Sequence, residues 1–245
     1  MWNYIQAESL KCRRTFAKAL IILAPALVLF HAVLTSIWFI TNGYNWWYVM
    51  ILPGFLSLVP ALMNQYEDKR LRYRAVFSLP VSLKKTWLAK IALIGIYLVL
   101  ASIFHFAVLA LGKATIYAKY AVSYSYGQML AASLVLIVTS LWQIPFCLFL
   151  AKKFGTMVTI LVNVLGGIAL NVLAATEDFW WLCPYSWGSR LMCPVIHVMP
   201  NGLLAEQGNT LLNTSVIPVG IILSITLFVV LSIVTANWFQ KQEVR

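Results

Sequence analysis

Long apolar stretches separated by short polar ones dominate the pattern of this chain. An apolar run of about 20 residues can cross the hydrocarbon core of a bilayer as a helix. The first apolar run is too long for a cleaved signal peptide and has no convincing small-residue cleavage site. The pattern predicts six transmembrane helices: Ala19–Thr41, Trp46–Gln65, Ile91–Gly112, Gln128–Ala151, Thr156–Ala175 and Val216–Trp238. Pro53, Gly54 and Pro60 interrupt the second run, so we expect a kink or a break there.

The composition leads to the same class of protein. Hydrophobic residues make up 62% of the 245 residues and charged residues 10%, whereas roughly a quarter of the residues in a soluble domain are charged. The sequence therefore predicts an all-α polytopic membrane protein with one transmembrane domain over residues 1–245. The net charge of +11 comes from basic residues beside the apolar runs, where they act as topology signals, so nucleic-acid binding is not expected.

The basic residues also predict the orientation. If the N-terminus is inside, the opposite side of the membrane holds Lys113, Lys119 and Arg190, and the inner side holds all the other Lys and Arg residues. Those residues are Lys11, Arg13, Arg14, Lys18, Lys69, Arg70, Arg72, Arg74, Lys84, Lys85, Lys90, Lys152, Lys153, Lys241 and Arg245. Because cytoplasmic segments carry the excess of Lys and Arg, both termini are expected in the cytoplasm.

Three polar segments lie outside the predicted spans. Residues 1–18 have the pattern of an amphipathic helix at the inner interface, since Trp2, Ile5, Ser9, Cys12 and Phe16 recur at three- and four-residue spacing. Residues 67–90 form a basic cytoplasmic segment. Residues 176–215 form an external segment rich in Trp, Pro and Gly, which we expect to fold as short re-entrant pieces capping the spans.

Several kinds of chemistry have no motif in this chain. It lacks a nucleotide-binding loop of the G-x-x-x-x-G-K-[ST] kind and an H-E-x-x-H pair. No predicted span carries an Asp or Glu in its interior, where ion-coupled carriers usually hold one. An ion-coupled carrier and a membrane-embedded enzyme are therefore the weaker alternatives, and no catalytic residue or metal site is predicted.

Polar residues inside the spans have a structural interpretation. His31 and His105 have no acidic residue at helical spacing, so each is expected to be a neutral imidazole hydrogen-bonded to a neighbouring helix. Gln143, Asn163 and Asn171 are expected to form interhelical hydrogen bonds. Gly166 and Gly167 are expected to permit close packing of helices.

The basic segment contains its own helical pattern. Leu71, Ala75 and Leu79 share one face, while Tyr73 with Phe77 and Arg70 with Arg74 are spaced four residues apart. The pattern predicts a short helix from about Lys69 to Ser78 that ends before Pro80. Ser82 can then cap a new helix that runs through Trp87. Such a helix could lie on anionic lipid headgroups or enter a groove on a cytoplasmic partner.

The residues now carry a resemblance to a known family. Six spans with both termini inside, and "YRAVFSLPVSLKKTWLAKI" between the second and third, resemble the permease subunit of an ABC-type-2 transporter. The external stretch "CPYSWGSRLMCPVIHVMPNG", residues 183–202, resembles the immunity permeases of lantibiotic producers. The resemblance covers nearly the whole chain.

The resemblance implies partners and a function. It implies a dimer of permeases, often two different chains, joined to cytoplasmic ABC ATPases that bind the ATP and Mg²⁺. The complex would sit in the bacterial cytoplasmic membrane and expel a lantibiotic from its outer leaflet; a permease for bacitracin-like drugs or another amphiphile is the alternative. The residues expected to contact the ATPase are Arg70, Arg72, Tyr73, Arg74 and Phe77.

The external segment is then expected to recognise the peptide. Glu177 and Asp178 could attract a basic peptide, and the indoles of Trp180, Trp181 and Trp187 could offer apolar and cation–π contact. The alternative is that these aromatic residues are ordinary anchors at the bilayer interface.

The two external cysteines leave a further pair of alternatives. Cys183 and Cys193 could form a disulfide, since they lie on the oxidising side, or they could remain separate thiols. Together with His197 they are too irregularly spaced to predict a zinc site.

Overall fold

The computed structural model describes residues 1–13, 15–71, 81–115 and 124–242, without the side chains of Ser36, Tyr66 and residues 68–71. Its described α-helices are α1 (Trp2–Cys12), α2 (Leu20–Leu34), α3 (Phe39–Trp46), α4 (Leu52–Leu71), α5 (Leu83–Thr115), α6 (Tyr126–Ser140), α7 (Gln143–Phe154), α8 (Thr156–Leu165), α9 (Asn171–Leu173), α10 (Ser186–Ile196) and α11 (Val216–Gln240). Two π turns, Trp47–Ile51 and Gly166–Leu170, join α3 to α4 and α8 to α9. Short 3₁₀ turns occupy Ser36–Trp38, Trp180–Leu182 and Thr210–Leu212.

Five helical stretches of the described ranges are long and apolar enough to cross a membrane. They are Phe39–Gln65, Leu83–Thr115, Tyr126–Phe154, Thr156–Leu173 and Val216–Gln240. Helix α2 is apolar but has 15 residues, which gives it a length of about 22 Å at 1.5 Å per residue, less than the roughly 30 Å of a hydrocarbon core. The described residues thus form an all-helical polytopic membrane protein, and the sixth span stays a prediction.

The boundary predicted between the first two spans is wrong. The chain turns at Ser36–Trp38, and the polar stretch that follows Thr41, which resembles a loop, belongs to α3. Tyr44 of this stretch is satisfied in the interior, because it is fully buried and donates its hydroxyl hydrogen to the Met129 carbonyl oxygen at 2.7 Å. The absence of a side chain on Gly43 lets α5 approach closely.

The interruption predicted in the second span is present as a π turn. Pro53 lies just after the turn Trp47–Ile51, and because proline has no N–H, the Val49 carbonyl oxygen has no α-helical donor at that position. Asn163 donates to the Pro53 carbonyl oxygen at 2.7 Å. The helix then continues to Leu71, beyond the predicted end of the span, so that the first residues of the predicted loop helix are the last turn of α4.

The predicted interhelical contacts are mostly confirmed. His105 lies 3.0 Å from the Gly43 carbonyl oxygen, and Asn163 donates to Gln143 Oε1 at 2.9 Å. Gly167 packs against Pro53, where an added Cβ would lie 2.6 Å from the ring. For His31 the predicted hydrogen bond stays a prediction: the ring lies against Trp46, and its buried Nδ1 has no hydrogen-bond partner within the described chain.

Both ends of the described chain meet at one end of the bundle. Trp87, near the start of α5, donates to Thr235 Oγ1 of α11 at 3.0 Å and stacks on Phe239 with the ring centroids 4.4 Å apart. Helix α1 packs along the same part of α5. The cytoplasmic location of this end stays a prediction.

The external segment contributes a buried helix. Most of α10 is buried, and it packs between α6 and α11. Gly220 of α11 permits this contact, since an added Cβ would lie 2.6 Å from Leu191. A helix of this segment therefore belongs to the bundle, whereas its re-entry into a membrane stays a prediction.

Candidate functional site at the base of the basic loop

Four charged side chains from three helices form a closed ring of ion pairs. Glu8 and Lys11 come from α1, Glu67 from the end of α4 and Lys90 from the start of α5. Lys11 Nζ lies 2.6 Å from Glu8 and 2.7 Å from Glu67. Lys90 Nζ lies 2.8 Å from Glu8 and 2.6 Å from Glu67. Each carboxylate thus contacts both ammonium groups, and we call these four residues the ion-pair ring.

Burial makes this ring energetically sensitive. The side chains of Glu8, Glu67 and Lys90 are at most 3% exposed, and that of Lys11 is 27% exposed. Removing one ion from water costs several kcal/mol, which an opposite charge at close range must offset. Two cations and two anions make the ring neutral, and its burial is costly when one charge is removed without its counterpart.

Burial and the neighbouring ammonium groups have opposite effects on the pKa of the Glu67 carboxyl. Burial alone would raise the pKa, but the ammonium groups of Lys90 and Lys11 more than offset this effect and hold it below its ordinary value of 4.5. A carboxyl with a lowered pKa in the folded state stabilises the fold above its ordinary pKa. This contribution is lost as the pH falls through the lower, folded-state pKa.

The ring closes the base of the basic segment 67–90. Glu67 stands at its first position and Lys90 at its last, and both contact Glu8 or Lys11 of α1. Ser82 caps α5 as predicted, because the Lys85 N–H donates to its Oγ at 3.4 Å. The N–H of Ser82 in turn donates to the Tyr4 hydroxyl of α1 at 3.3 Å. Helix α1 therefore bridges the two ends of the segment.

Most of the residues predicted to contact an ATPase lie outside the part of the chain that the structure describes. Arg72, Tyr73, Arg74 and Phe77 lie outside the described residues, and Arg70 lies in the last turn of α4 without a described side chain. Their role stays a prediction. The sequence pattern does not predict the ring, because Lys11 and Lys90 are equally well explained as topology signals. The scarcity of acids was the available signal, since two of the seven Asp and Glu residues belong to the ring.

The external residues predicted to contact a peptide fall into two groups. Glu177, Asp178 and Trp181 are exposed, Trp181 by 48%. Trp180 and Trp187 are buried, which removes their faces from the surface. The exposed side chains of Phe179 and Leu182 continue the first group, so the surface combines two acids with apolar side chains.

The buried tryptophans hold the external segment together. The Trp187 indole donates to the Trp181 carbonyl oxygen at 3.1 Å, and Ser186 Oγ donates to the Trp180 carbonyl oxygen at 2.9 Å. The Arg190 guanidinium lies 5.9 Å from the centre of the Trp180 ring. Trp180 and Trp187 thus shape the segment that presents Glu177 and Asp178.

All four cysteines are free thiols in this structure. Cys193 is buried and donates to the Ser189 carbonyl oxygen at 3.4 Å, and its burial raises its pKa to about 11 although Arg190 acts in the opposite direction. Cys183 is half-buried. The reactive thiolate form of Cys193 is therefore scarce at neutral pH.

We expect mass spectrometry to find Cys183 and Cys193 unbridged. Alkylation of the denatured protein without reductant should label both residues, because no bond joins them. In the native protein Cys183 should be alkylated first, since Cys193 is buried and protonated. A peptide pair linked through Cys183 and Cys193 in the unreduced digest would contradict this.

No three His, Cys, Asp or Glu side chains of the described ranges cluster closely enough to hold a metal ion. Comparison with known proteins adds no assignment: the chain matches no protein-family model, no curated protein and no solved structure.

Proposed function

We propose that this chain is the permease subunit of an ABC-type-2 exporter that expels a lantibiotic-type peptide and protects its producer. The observation that carries the proposal is the ion-pair ring, which ties both ends of the basic segment to α1, α4 and α5. A basic segment held at both ends suits a task in which a partner pushes on it. Energy comes from a separate ATPase, which explains a transport protein without a nucleotide-binding loop.

The ring gives the segment a rigid base. Because Glu67 and Lys90 are paired directly at 2.6 Å, α4 and α5 do not separate freely where the segment leaves them. A partner that binds ATP and Mg²⁺ and moves residues 67–90 would therefore shift α4, α5 and α1 together. Arg70, Arg72, Tyr73, Arg74 and Phe77 would make the contact, with guanidinium groups suited to carboxylates on the ATPase.

The external surface supports a cationic amphipathic substrate. Glu177 and Asp178 supply negative charge beside the exposed Phe179, Trp181 and Leu182. A peptide with basic and apolar side chains would find both kinds of contact there. The same chemistry would also admit another amphiphile, so a permease for bacitracin-like drugs is the alternative substrate assignment.

Reconstitution with its partners tests the proposal. We expect genes for an ABC ATPase, a second permease and a lantibiotic precursor beside the gene for this chain. Co-expressed, the proteins should co-purify, hydrolyse ATP and allow cells to survive the lantibiotic. If the ATPase does not stay with this chain, the proposal fails. If the cells survive exposure to a bacitracin-like drug but not to the lantibiotic, the alternative substrate is supported.

We expect Glu177→Ala with Asp178→Ala to weaken resistance to the peptide. The double variant removes the negative charge of the external surface. Neither acid is described as a hydrogen-bond partner of a buried side chain, so the complex should assemble and keep its basal ATPase activity. Trp181→Ala should weaken resistance in the same way, since it removes an exposed apolar face. The measurement is the peptide concentration that halves growth.

Glu206→Ala is the matched control for this prediction, because it removes an exposed acid of the same external segment outside the Glu177–Leu182 surface. Resistance equal to that of the parent chain in the double variant and in Trp181→Ala would place peptide recognition elsewhere, such as the groove between the two permeases.

A further inference from the structure

A small polar cavity lies inside the bundle where the two π turns meet α10. The turns Trp47–Ile51 and Gly166–Leu170 lie against each other, and π turns within α-helices are frequent at functional sites. The space open to a water-sized sphere is about 20 Å³, and about 10 to 15 Å³ of such space suffices for one water molecule. The cavity therefore has room for one molecule of that size.

Asn171 gives this cavity an acceptor that has no donor. The residue lines the cavity and is 3% exposed. Its Nδ2 donates to the Tyr48 carbonyl oxygen at 3.1 Å, and because the amide oxygen cannot donate, this bond fixes which way the amide is turned. Its buried Oδ1 receives no hydrogen bond from the described residues. A buried acceptor left without a donor is destabilising, so a donor from outside the chain would stabilise the site.

The hydroxyl groups around the cavity have acceptor capacity left as well. Thr139 and Ser140 each donate to the carbonyl oxygen one turn earlier in α6. Tyr185 donates to Asn163 Oδ1 at 3.1 Å. Each hydroxyl has a single hydrogen, which is already used, so the lining presents free lone pairs. A ligand that donates hydrogen bonds can use these oxygens, and Gln143, which also lines the cavity and accepts from Asn163 through Oε1, carries an amide NH₂ group that can donate to a ligand.

We propose that this cavity is a binding site for one water molecule. The water donates one hydrogen bond to Asn171 Oδ1 and a second to a hydroxyl oxygen of Thr139, Ser140 or Tyr185. It thereby satisfies the unpartnered amide oxygen and joins α9, directly after the second π turn, to α6 or to the residue preceding α10. The π turns are then packed around a hydrated contact, which is easier to rearrange than a dry one.

Gly188 offers a way to displace this water without disturbing the packing. It lines the cavity, and a Cβ added there would lie 3.7 Å from both Leu136 and Thr139, which is ordinary contact. Gly188→Ala therefore fills the space with a methyl group. Gly95→Ala is the matched control, because it also adds a methyl inside a helix without a clash, 4.0 Å from Ile144, and away from the cavity.

Hydroxyl-radical footprinting by X-ray exposure tests the proposal, since radicals formed from a bound water oxidise the buried side chains beside it. Tyr48 lines the cavity and is 3% exposed, whereas Tyr44 is fully buried elsewhere. We expect Tyr48 to be oxidised in the parent chain and in Gly95→Ala, and to lose this oxidation in Gly188→Ala. Tyr44 should stay protected throughout. Protection of Tyr48 equal to that of Tyr44 in the parent chain would overturn the proposal, as would oxidation of Tyr48 that Gly188→Ala leaves unchanged.

An experimental density map at a resolution that shows ordered water molecules is an independent test of the proposed water site. A single peak at about 2.7 to 3.2 Å from Asn171 Oδ1 would support a water. An empty cavity would overturn the proposal. So would a peak surrounded by several oxygens at about 2.4 Å, because such short distances indicate a bound cation.

Discussion

Lys90→Met should destabilise the protein by about 3 to 5 kcal/mol, because it leaves two buried carboxylates with a single ammonium group between them. Glu8 and Glu67 are each at most 2% exposed, so water cannot replace the lost partner. The thermal denaturation temperature in detergent should fall accordingly. Lys85→Met is the matched control, since Lys85 is an exposed lysine of the same helix, and it should denature close to the parent chain.

A second substitution should reverse much of this loss. Adding Glu8→Gln to Lys90→Met leaves Lys11 and Glu67, a neutral pair at 2.7 Å. The double variant should therefore be more stable than Lys90→Met alone, a non-additive result typical of residues in one network. If Lys90→Met denatures like the Lys85→Met control, or if Glu8→Gln lowers stability further, the ring does not behave as one neutral unit.

Replacing Arg70, Arg72 and Arg74 together by Glu should abolish peptide resistance and release the ATPase. The change turns three cations of the basic segment into anions, which would repel carboxylates on the partner. The ion-pair ring is left intact, so insertion into the membrane and the denaturation temperature should stay near those of the parent chain. Resistance and retention of the ATPase on a tagged permease are the two measurements.

Charge alone has to be separated from position in this experiment. Replacing Lys18, Lys153 and Lys241 by Glu makes the same change in net charge on the same predicted side of the membrane. These three residues lie outside the segment 67–90. This control should keep the ATPase bound. Normal resistance in the triple arginine variant would exclude docking through these residues and favour a segment that lies on lipid headgroups.

The helical class and most helices follow from local pattern. Apolar runs such as Val216–Trp238 are long enough that only a helix satisfies their backbone in lipid, and α11 covers Val216–Gln240. The cap at Ser82 is equally local, because it depends on one hydroxyl and the N–H groups of the next turn. Such features need no knowledge of the rest of the chain.

The error at the boundary between the first two predicted spans comes from a contact that is distant in sequence. The stretch after Thr41 has the residue types of a loop, yet it is helical because Tyr44 finds its acceptor 85 positions away on Met129. The acceptor on Met129 is not encoded in the residues near Tyr44. For Trp180 and Trp187 the residue type allows an exposed or a buried ring, and both rings are buried in the structure.

The sequence by itself determined the membrane class and the positions of most of the long helices, because hydrophobicity acts over a few neighbouring positions. Only the tertiary structure decided that Glu8, Lys11, Glu67 and Lys90 form one ring, since Glu8 and Lys90 lie 82 positions apart. A buried charge is stable only beside its partners, and which charges become neighbours is settled when α1, α4 and α5 pack together.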